Sequence, residues 1–281
     1  MDVRNIAGSG AGGRITKADI LGYIEAGSPV SAPQNGAAAW QAPAPVAPPA
    51  LLEGVDRVPM TVMRRRIAEQ MAMSRRVSAH AHTVLEIDFM TVDNIRKANK
   101  AGYERAGVKL TYMAFITLAA ARALKAVPIV NSSVDGADIL YRKDINIGMA
   151  VALDWGLIVP VIRHTDSMTL VDISRTIADL AARARDKKLS PDEVQGGTFT
   201  ITNPGVFGTL LGIPILYQPQ VAILAVGAVE KRAVVVDDAV AIRLRSYMTL
   251  GFDHRVIDGA VANEFLLQLK KNLEEFDPGD A

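Results

Sequence analysis

The chain has 281 residues with Lys+Arg 31 against Asp+Glu 30, so no basic excess exists to neutralise a phosphate backbone, and nucleic acid is excluded as the main partner. Cysteine is absent, which removes disulfides, a cysteine nucleophile, iron–sulfur ligation and thiolate zinc sites together. The densest apolar run, Met113 to Ala121, falls far short of the ~18 residues that span a bilayer, and MDVRNIAGSG lacks the apolar stretch of a signal peptide, so a soluble, cytoplasmic protein is expected.

Residues 1–26 form a stub in which RITKADILGYIEAG predicts a short helix, with Thr16 as N-cap and Ile20, Leu21 and Ile24 as an apolar stripe. Ahead of it, Gly8-Ser9-Gly10-Ala11-Gly12-Gly13 matches the G-x-G-x-x-G pattern of dinucleotide sites. That pattern has meaning only after a strand and inside a βαβ unit; too few residues precede it here, and a turn before a helix is the better reading. A stub with so few large apolar side chains does not fold alone, so it is a fragment of a small domain or a segment that orders on a partner. Residues 27–50 hold six of the 14 prolines and no Asp, Glu, Lys or Arg. Such a stretch cannot bury enough apolar area to offset its ordering entropy and reads as a semi-rigid linker. Residues 51–281 are the folded body.

In the body, Val62 to Ser74 reads as a helix, basic on one side, and SAHAHTVLEIDF as a strand. Leu110 to Val127 is apolar almost all round, a buried helix ended by Pro128. Strands at Ile145–Leu153 and Leu157–Ile162 flank an Asp154-Trp155-Gly156 turn, and an amphipathic helix follows from Leu170 to Lys188. Further strands fall at Thr198–Thr202, Val221–Val226, Ala233–Val236 and Ala239–Leu250, with a last helix from Ala260 to Phe276. This alternation predicts an α/β fold, helices layered on a large mixed sheet.

The four histidines differ in promise. His80 and His82, two apart on one strand, share a face; a metal would need a further ligand that spacing does not place, and they read as surface or edge polar residues. His164 follows a strand and has no partner in sequence. His254 lies between a long strand and the final helix, where a loop exposes an imidazole and rigid neighbours fix it, a setting suited to a general base. Asp258, four residues on, is placed either to cap the final helix or to pair with an arginine.

The string FDHRVIDGA resembles the D-H-R-x-x-D-G signature of the dihydrolipoamide acyltransferase core of 2-oxo acid dehydrogenase complexes. Gly197-Thr198-Phe199-Thr200-Ile201-Thr202-Asn203 resembles the family's G-x-F-T-[IL]-[ST]-N segment, and Leu157-Ile158-Val159-Pro160-Val161-Ile162 its G-L-I-V-P-V-I strand. GAGGRITKADI is similar to the end of the peripheral subunit-binding domain that precedes this core across a proline- and alanine-rich linker. The resemblance covers nearly the whole chain in the family's order. It implies a two-layer, chloramphenicol-acetyltransferase-like fold over 51–281 and acyl transfer between the thiols of dihydrolipoamide and coenzyme A, both substrates.

On this resemblance His254 removes the thiol proton, the Thr202 hydroxyl steadies the tetrahedral oxyanion, and Asp258 holds the loop by an ion pair. Read without it, Thr202 is an ordinary β-branched strand residue. No G-x-S-x-G elbow is present, so direct attack in a ternary complex is expected. The family also implies a homotrimer with histidine and hydroxyl from adjacent chains, a core of 24 or 60 chains, and 2-oxo acid decarboxylase and dihydrolipoamide dehydrogenase as partners. Arg14 matches the arginine that contacts the acidic face of a partner enzyme. No lipoyl domain is recognisable, so the lipoate is expected on a domain absent from this chain, and residues 1–26 resemble a subunit-binding domain without its first helix. The nearest likeness is to the acetyl-transferring, pyruvate dehydrogenase type. Thr202–Gly208 has some likeness to succinyl-transferring members, while Gly259-Ala260 is closer to acetyl and branched-chain types. A non-catalytic scaffold of the same fold would be expected to lose His254 or Asp258, and a drug-modifying hydroxyl acetyltransferase would have no use for residues 1–50.

Overall fold

A computed structural model of the chain describes residues 9–10, 13–25, 54–153 and 156–280. They belong to two compact units, Met1–Val58 and Pro59–Ala281. The expected linker, 27–50, lies outside the described residues.

In the first unit, α1 (Lys17–Glu25) starts at a reciprocal cap. The Thr16 backbone N–H and hydroxyl both donate to the Asp19 carboxylate, at 2.7 and 2.9 Å, and the Ser9 hydroxyl donates to its other oxygen at 2.6 Å. The donors from Ser9 and Thr16 hold the Asp19 carboxyl far below the ordinary carboxylate range. Gly10 N–H donates to the Arg14 carbonyl across a turn in which Gly13 takes φ 77°. The described part of the glycine run is thus a turn leading into a helix.

The second unit runs α2 (Val62–Val77), β1 (His80–Asp88), α3 (Met90–Arg105), α4 (Tyr112–Ala126), β2 (Ser132–Asp135), β3 (Asp138–Tyr141), β4 (Ile147–Met149), β5 (Val151–Leu153), β6 (Gly156–Ile158) and β7 (Val161–Ile162). It continues with α5 (Leu170–Arg185), β8 (Phe199–Thr202), β9 (Ala222–Val226), β10 (Glu230–Val236), β11 (Ala239–Asp253) and α6 (Gly259–Glu274). Seven strands form one mixed sheet in the order β1-β11-β9-β8-β4-β7, with β10 alongside the first half of β11. β8 is parallel to β4 and β9, and β11 is antiparallel to β9. No helix among the described residues is long and apolar enough to cross a membrane.

The two-residue period of the strands sorts the sheet into unlike faces. Phe199, Ile201, Ala222, Leu224, Val226, Met248, Leu250 and Phe252 point into one core with α3, α4 and α6, where Phe199 meets Phe265 with ring centroids 5.6 Å apart. α4 is the all-apolar helix of the sequence, buried from Ala114 through Ala121. The opposite face, left open by α3, α4 and α6, carries the alternate residues Thr200, Thr202, Ile223, Ala225, Thr249, Gly251 and Asp253; residues 211–217, which form neither helix nor strand, lie over it and bond to β1 and α2.

Several elements differ from the sequence expectation, among them the expected strand Leu157–Ile162, which is split into β6 and β7. α3 and the β2–β3 hairpin have no predicted counterpart. The expected strand Ile145–Leu153 is split at Ala150 into β4 and β5; the Ala150 N–H still donates to the Ile201 carbonyl at 2.9 Å, the last bond of the β4–β8 ladder. β11 runs three residues past Leu250, because Gly251 sits inside the ladder: a Cβ there would lie 3.2 Å from the His82 ring, so the glycine marks a close approach and not an end. Asp154 and Trp155 of the expected turn lie outside the described residues.

The loop after β8 crosses the end of β9 through two glycines. A Cβ on Gly227 would stand 2.2 Å from the Leu210 carbonyl oxygen, and one on Gly205 would stand 2.4 Å from the Gly227 backbone. Gly227→Ala must therefore push the 204–212 loop away. We expect a loss of about 1–3 kcal/mol in chemical denaturation, the usual range for overpacking, where Gly102→Ala, facing open space on α3, perturbs no neighbour.

Candidate active site

β11 delivers His254 at the end of the sheet. The ladder with β1 closes at His80↔Asp253, and one further bond, His254 N–H to the Ala79 carbonyl at 2.8 Å, carries the pairing past the strand. Val256 and Ile257 N–H then donate back to the Asp253 carbonyl at 3.0 and 2.9 Å, turning the chain toward α6, while the buried Ile257 anchors the turn. The imidazole itself is exposed, 5.7 Å from the Phe252 ring.

The brace of this loop is Asp253. Its carboxylate is buried and takes two bonds from the Arg255 guanidinium, Nε at 3.0 Å and a terminal nitrogen at 2.7 Å, plus the backbone N–H groups of Arg255 and Ala79 at 3.1 and 3.2 Å. Burial pushes the carboxyl up, but Arg255 and Ser78 outweigh it and hold Asp253 below its ordinary value. Asp258 accepts from the Val261 N–H at 2.9 Å as the N-cap of α6, and the ion pair within this loop is Asp253–Arg255. Of the two placements open to Asp258 in the sequence, the helix cap is the one seen.

Thr202 ends β8, level with Ala225 of β9, and is partly buried. It lines a cavity of about 380 Å³ on the open face of the sheet, between Thr200, Ile223 and Ala225 below and Gly212–Ile215 and Tyr217 above, with no charged side chain among the described lining. The floor is fixed from beneath: the Thr200 hydroxyl donates to Gln220 Oε1 at 2.6 Å, and Gln220 Nε2 donates to the Gly197 carbonyl at 3.0 Å.

One chain does not bring Thr202 and His254 together. Thr202 is level with Ala225, whereas Asp253 N–H bonds the Val221 carbonyl, four residues earlier and just ahead of β9. At 3.3 Å per residue the two sites are separated by about 13 Å along the strands alone, at opposite ends of the sheet. His254 and Asp258 share a loop; Arg14 is exposed in the first unit.

The other histidines have structural partners. His164 takes φ 49° after β7, and its backbone N–H donates to Asn146 Oδ1 at 2.9 Å. His80 and His82 lie on the open face and bond the segment above it, Leu216 and Pro214 respectively. No group of three His, Cys, Asp or Glu able to hold a metal occurs among the described residues. Asp253 and the two strand histidines are the site residues that sequence reasoning passed over. The signals available were the acid immediately before His254 and the shared face of His80 and His82.

Residues 53–278 match the family model of the 2-oxoacid dehydrogenases acyltransferase catalytic domain. The chain belongs to this family. It is 42% identical over 276 residues to the dihydrolipoyllysine-residue succinyltransferase component of the 2-oxoglutarate dehydrogenase complex of Bartonella vinsonii subsp. berkhoffii, a match covering 96% of this chain and 67% of that protein. Two solved structures superpose with a TM-score of 0.77 at 35% identity over 81% of this chain and 97% of theirs: the dihydrolipoamide acetyltransferase of Azotobacter vinelandii and the cubic core of a pyruvate dehydrogenase multienzyme complex. The mixed sheet with packed helices is thus the fold of acyltransferase cores.

Two variants separate the roles in the loop. Asp258→Ala removes only a helix cap and is expected to cost about 1 kcal/mol in urea unfolding. Asp253→Asn removes the charge that Arg255 and Ala79 converge on, at about 1–3 kcal/mol. Because Asp253 is held below its unfolded value, its contribution is present above about pH 4 and lost as pH falls through the lower folded value. Unfolding curves from pH 7 to pH 3 are expected to converge for wild type and Asp253→Asn.

Proposed function

We propose that the chain moves an acyl group between the thiols of dihydrolipoamide and coenzyme A, with His254 as general base, Thr202 as oxyanion donor, and each site shared between two chains. One observation carries the residue roles. In the Azotobacter vinelandii acetyltransferase, the three residues studied for their role in the catalytic mechanism are a serine, a histidine fifty-two positions later and an asparagine four positions after that. Thr202, His254 and Asp258 repeat that spacing. Threonine keeps the hydroxyl, and aspartate keeps the side-chain oxygen that caps α6.

The chemistry follows from what each group can do. The exposed His254 imidazole accepts the proton of the incoming thiol as its sulfur forms a bond to the thioester carbonyl carbon. The carbonyl π pair moves to oxygen, and the Thr202 hydroxyl donates a hydrogen bond to that oxyanion, a contribution of roughly 3 kcal/mol. Collapse breaks the old carbon–sulfur bond, and the leaving thiolate takes the proton back from the imidazolium. Both sulfurs belong to substrates, so no protein thiol is required.

With Thr202 and His254 at opposite ends of one sheet, the pair meets only if a second chain supplies one of them. A head-to-tail interface of this kind closes into a ring, in line with the trimer implied by the resemblance. The relative that forms a cubic core supports a larger assembly of such trimers, 24 or 60 chains, to which the decarboxylase, the dihydrolipoamide dehydrogenase and a lipoyl domain are recruited. The exposed Arg14 of the first unit is our candidate for contact with a partner enzyme.

We read the acyl group as uncharged, acetyl first, as in the pyruvate dehydrogenase type. The support is the cavity beside Thr202, whose described lining is neutral; seating a succinyl carboxylate there would leave a charge unpaired, at several kcal/mol. The succinyltransferase relative favours the second reading. Turnover with acetyl-, succinyl- and isobutyryl-CoA at matched dihydrolipoamide decides between them: acetyl-CoA is expected to lead, and a lead for succinyl-CoA of tenfold or more reverses the assignment.

The shared site has its own test. His254→Ala is expected to lower kcat by about 10²–10⁴, and Thr202→Val by about 10²–10³. Co-assembled, the two inactive variants leave about a quarter of the interfaces with an intact histidine–hydroxyl pair. Activity recovered on mixing supports a site built between chains; none recovered from a verified mixed assembly places the site within one chain.

A further inference from the structure

We propose that His82, together with His80, is a positioning residue for the acyl cavity: the two imidazoles suspend the Pro214–Tyr217 wall above Thr202 and thereby set the size of acyl group the site accepts. The proposal rests on the acyl-transfer reading for what fills the cavity, though the suspension itself rests on hydrogen bonds.

Residues 211–217 lie over the open face of the sheet yet belong to no strand, so their peptide groups have no ladder partners. Groups covered in this way must be bonded or cost roughly 1–3 kcal/mol each. Side chains meet them instead. His82 Nε2–H donates to the Pro214 carbonyl at 2.8 Å. Leu216 N–H donates to His80 Nε2 at 3.2 Å, and the Leu216 carbonyl accepts the buried Ser74 hydroxyl at 2.7 Å. Gln70 Nε2 donates to the Gln218 carbonyl at 3.3 Å.

The two histidines are used in opposite senses. A carbonyl oxygen offers no proton, so His82 carries its hydrogen on Nε2. His80 must present a bare Nε2 to an N–H and carries its hydrogen on Nδ1, which donates to the Ser78 carbonyl at 3.1 Å. Two residues apart on β1, they face the same way, and Gly251 beside them clears the space in which the His82 ring lies. The segment they hold forms the upper wall of the cavity through Pro214, Ile215 and Tyr217, with Thr202 opposite. A wall fixed at alternate peptide groups cannot shift to admit a longer acyl chain, and a wall released from them can.

His82→Leu and His82→Gln test this, since glutamine restores an N–H donor near the Nε2 position and leucine does not. Two measurements are made on the full assembled chain. In hydrogen exchange, the Ile215–Tyr217 amides of His82→Leu are expected to exchange at least tenfold faster than wild type, with His82→Gln within twofold. In steady-state transfer, the ratio of kcat/KM for isobutyryl-CoA to that for acetyl-CoA is expected to move about tenfold in His82→Leu, chiefly through KM, and to return in His82→Gln. Equal exchange in wild type and His82→Leu overturns the suspension. Faster exchange with an unchanged acyl ratio overturns the specificity role. A wild-type assembly that transfers no acyl group fails the acyl-transfer reading instead, and the exchange result still decides whether the wall hangs on His82.

Discussion

The register of β11 between its two neighbours is the constraint from which the rest follows. Over its last residues the strand is bonded on both edges, to β1 and to β9. A slip of one residue would turn Met248, Leu250 and Phe252 out of the core and bring Thr249, Gly251 and Asp253 into it. The cost of taking those apolar side chains out of the core and of moving a carboxylate away from Arg255 and Ala79 into an apolar layer makes the register unambiguous. In the correct register a single strand packs the core on one side and places a glycine under His82 on the other. Its last residue is an acid whose bonds to Arg255 and Ala79 fix the turn carrying His254. Core packing and site geometry are therefore one decision, taken by the same strand.

Strand direction then separates the two functional groups. β8 and β11 run in opposite senses on either side of β9, so the end of one lies at the start of the other. No side-chain change within a single copy moves Thr202 toward His254; only a second copy can. On the acyl-transfer reading proposed above, activity is a property of the interface, and a substitution far from either residue abolishes it by weakening association alone.

Much of this architecture is legible in the amino-acid order, for physical reasons. α4 is apolar almost all round because it is buried along most of its length, with only Arg122, Lys125 and Ala126 exposed, and α6 shows its stripe because one face packs on the core. α3 hides because Asp93, Arg96, Lys97 and Lys100 dilute its apolar positions; Asp93 is itself buried, bonded to Lys97, Arg96 and Tyr112. The acid–histidine–arginine string marks the site, but Thr202 has the composition of any strand residue and only the resemblance singles it out. Asp253 and Asp258 show why a motif names residues more readily than their tasks. Nothing in the string says which acid will be buried, and burial depends on a ladder with residues more than 170 positions away. The same holds for His80 and His82. Period two puts them on one face, while what lies above that face comes from a segment some 130 positions on.

The manner in which residues 211–217 are held has an evolutionary consequence. A cavity wall that belonged to the sheet would carry its ladder along with any change, and altering its shape would disturb strand pairing throughout the layer. This one is detachable. Its anchors are individual side chains on α2 and β1, so a few exchanges at those anchors or along the wall can reshape the chamber while the pleated scaffold stays as it is. Descent from a common ancestor can therefore diversify the cargo of such catalysts without rebuilding the frame that supports them.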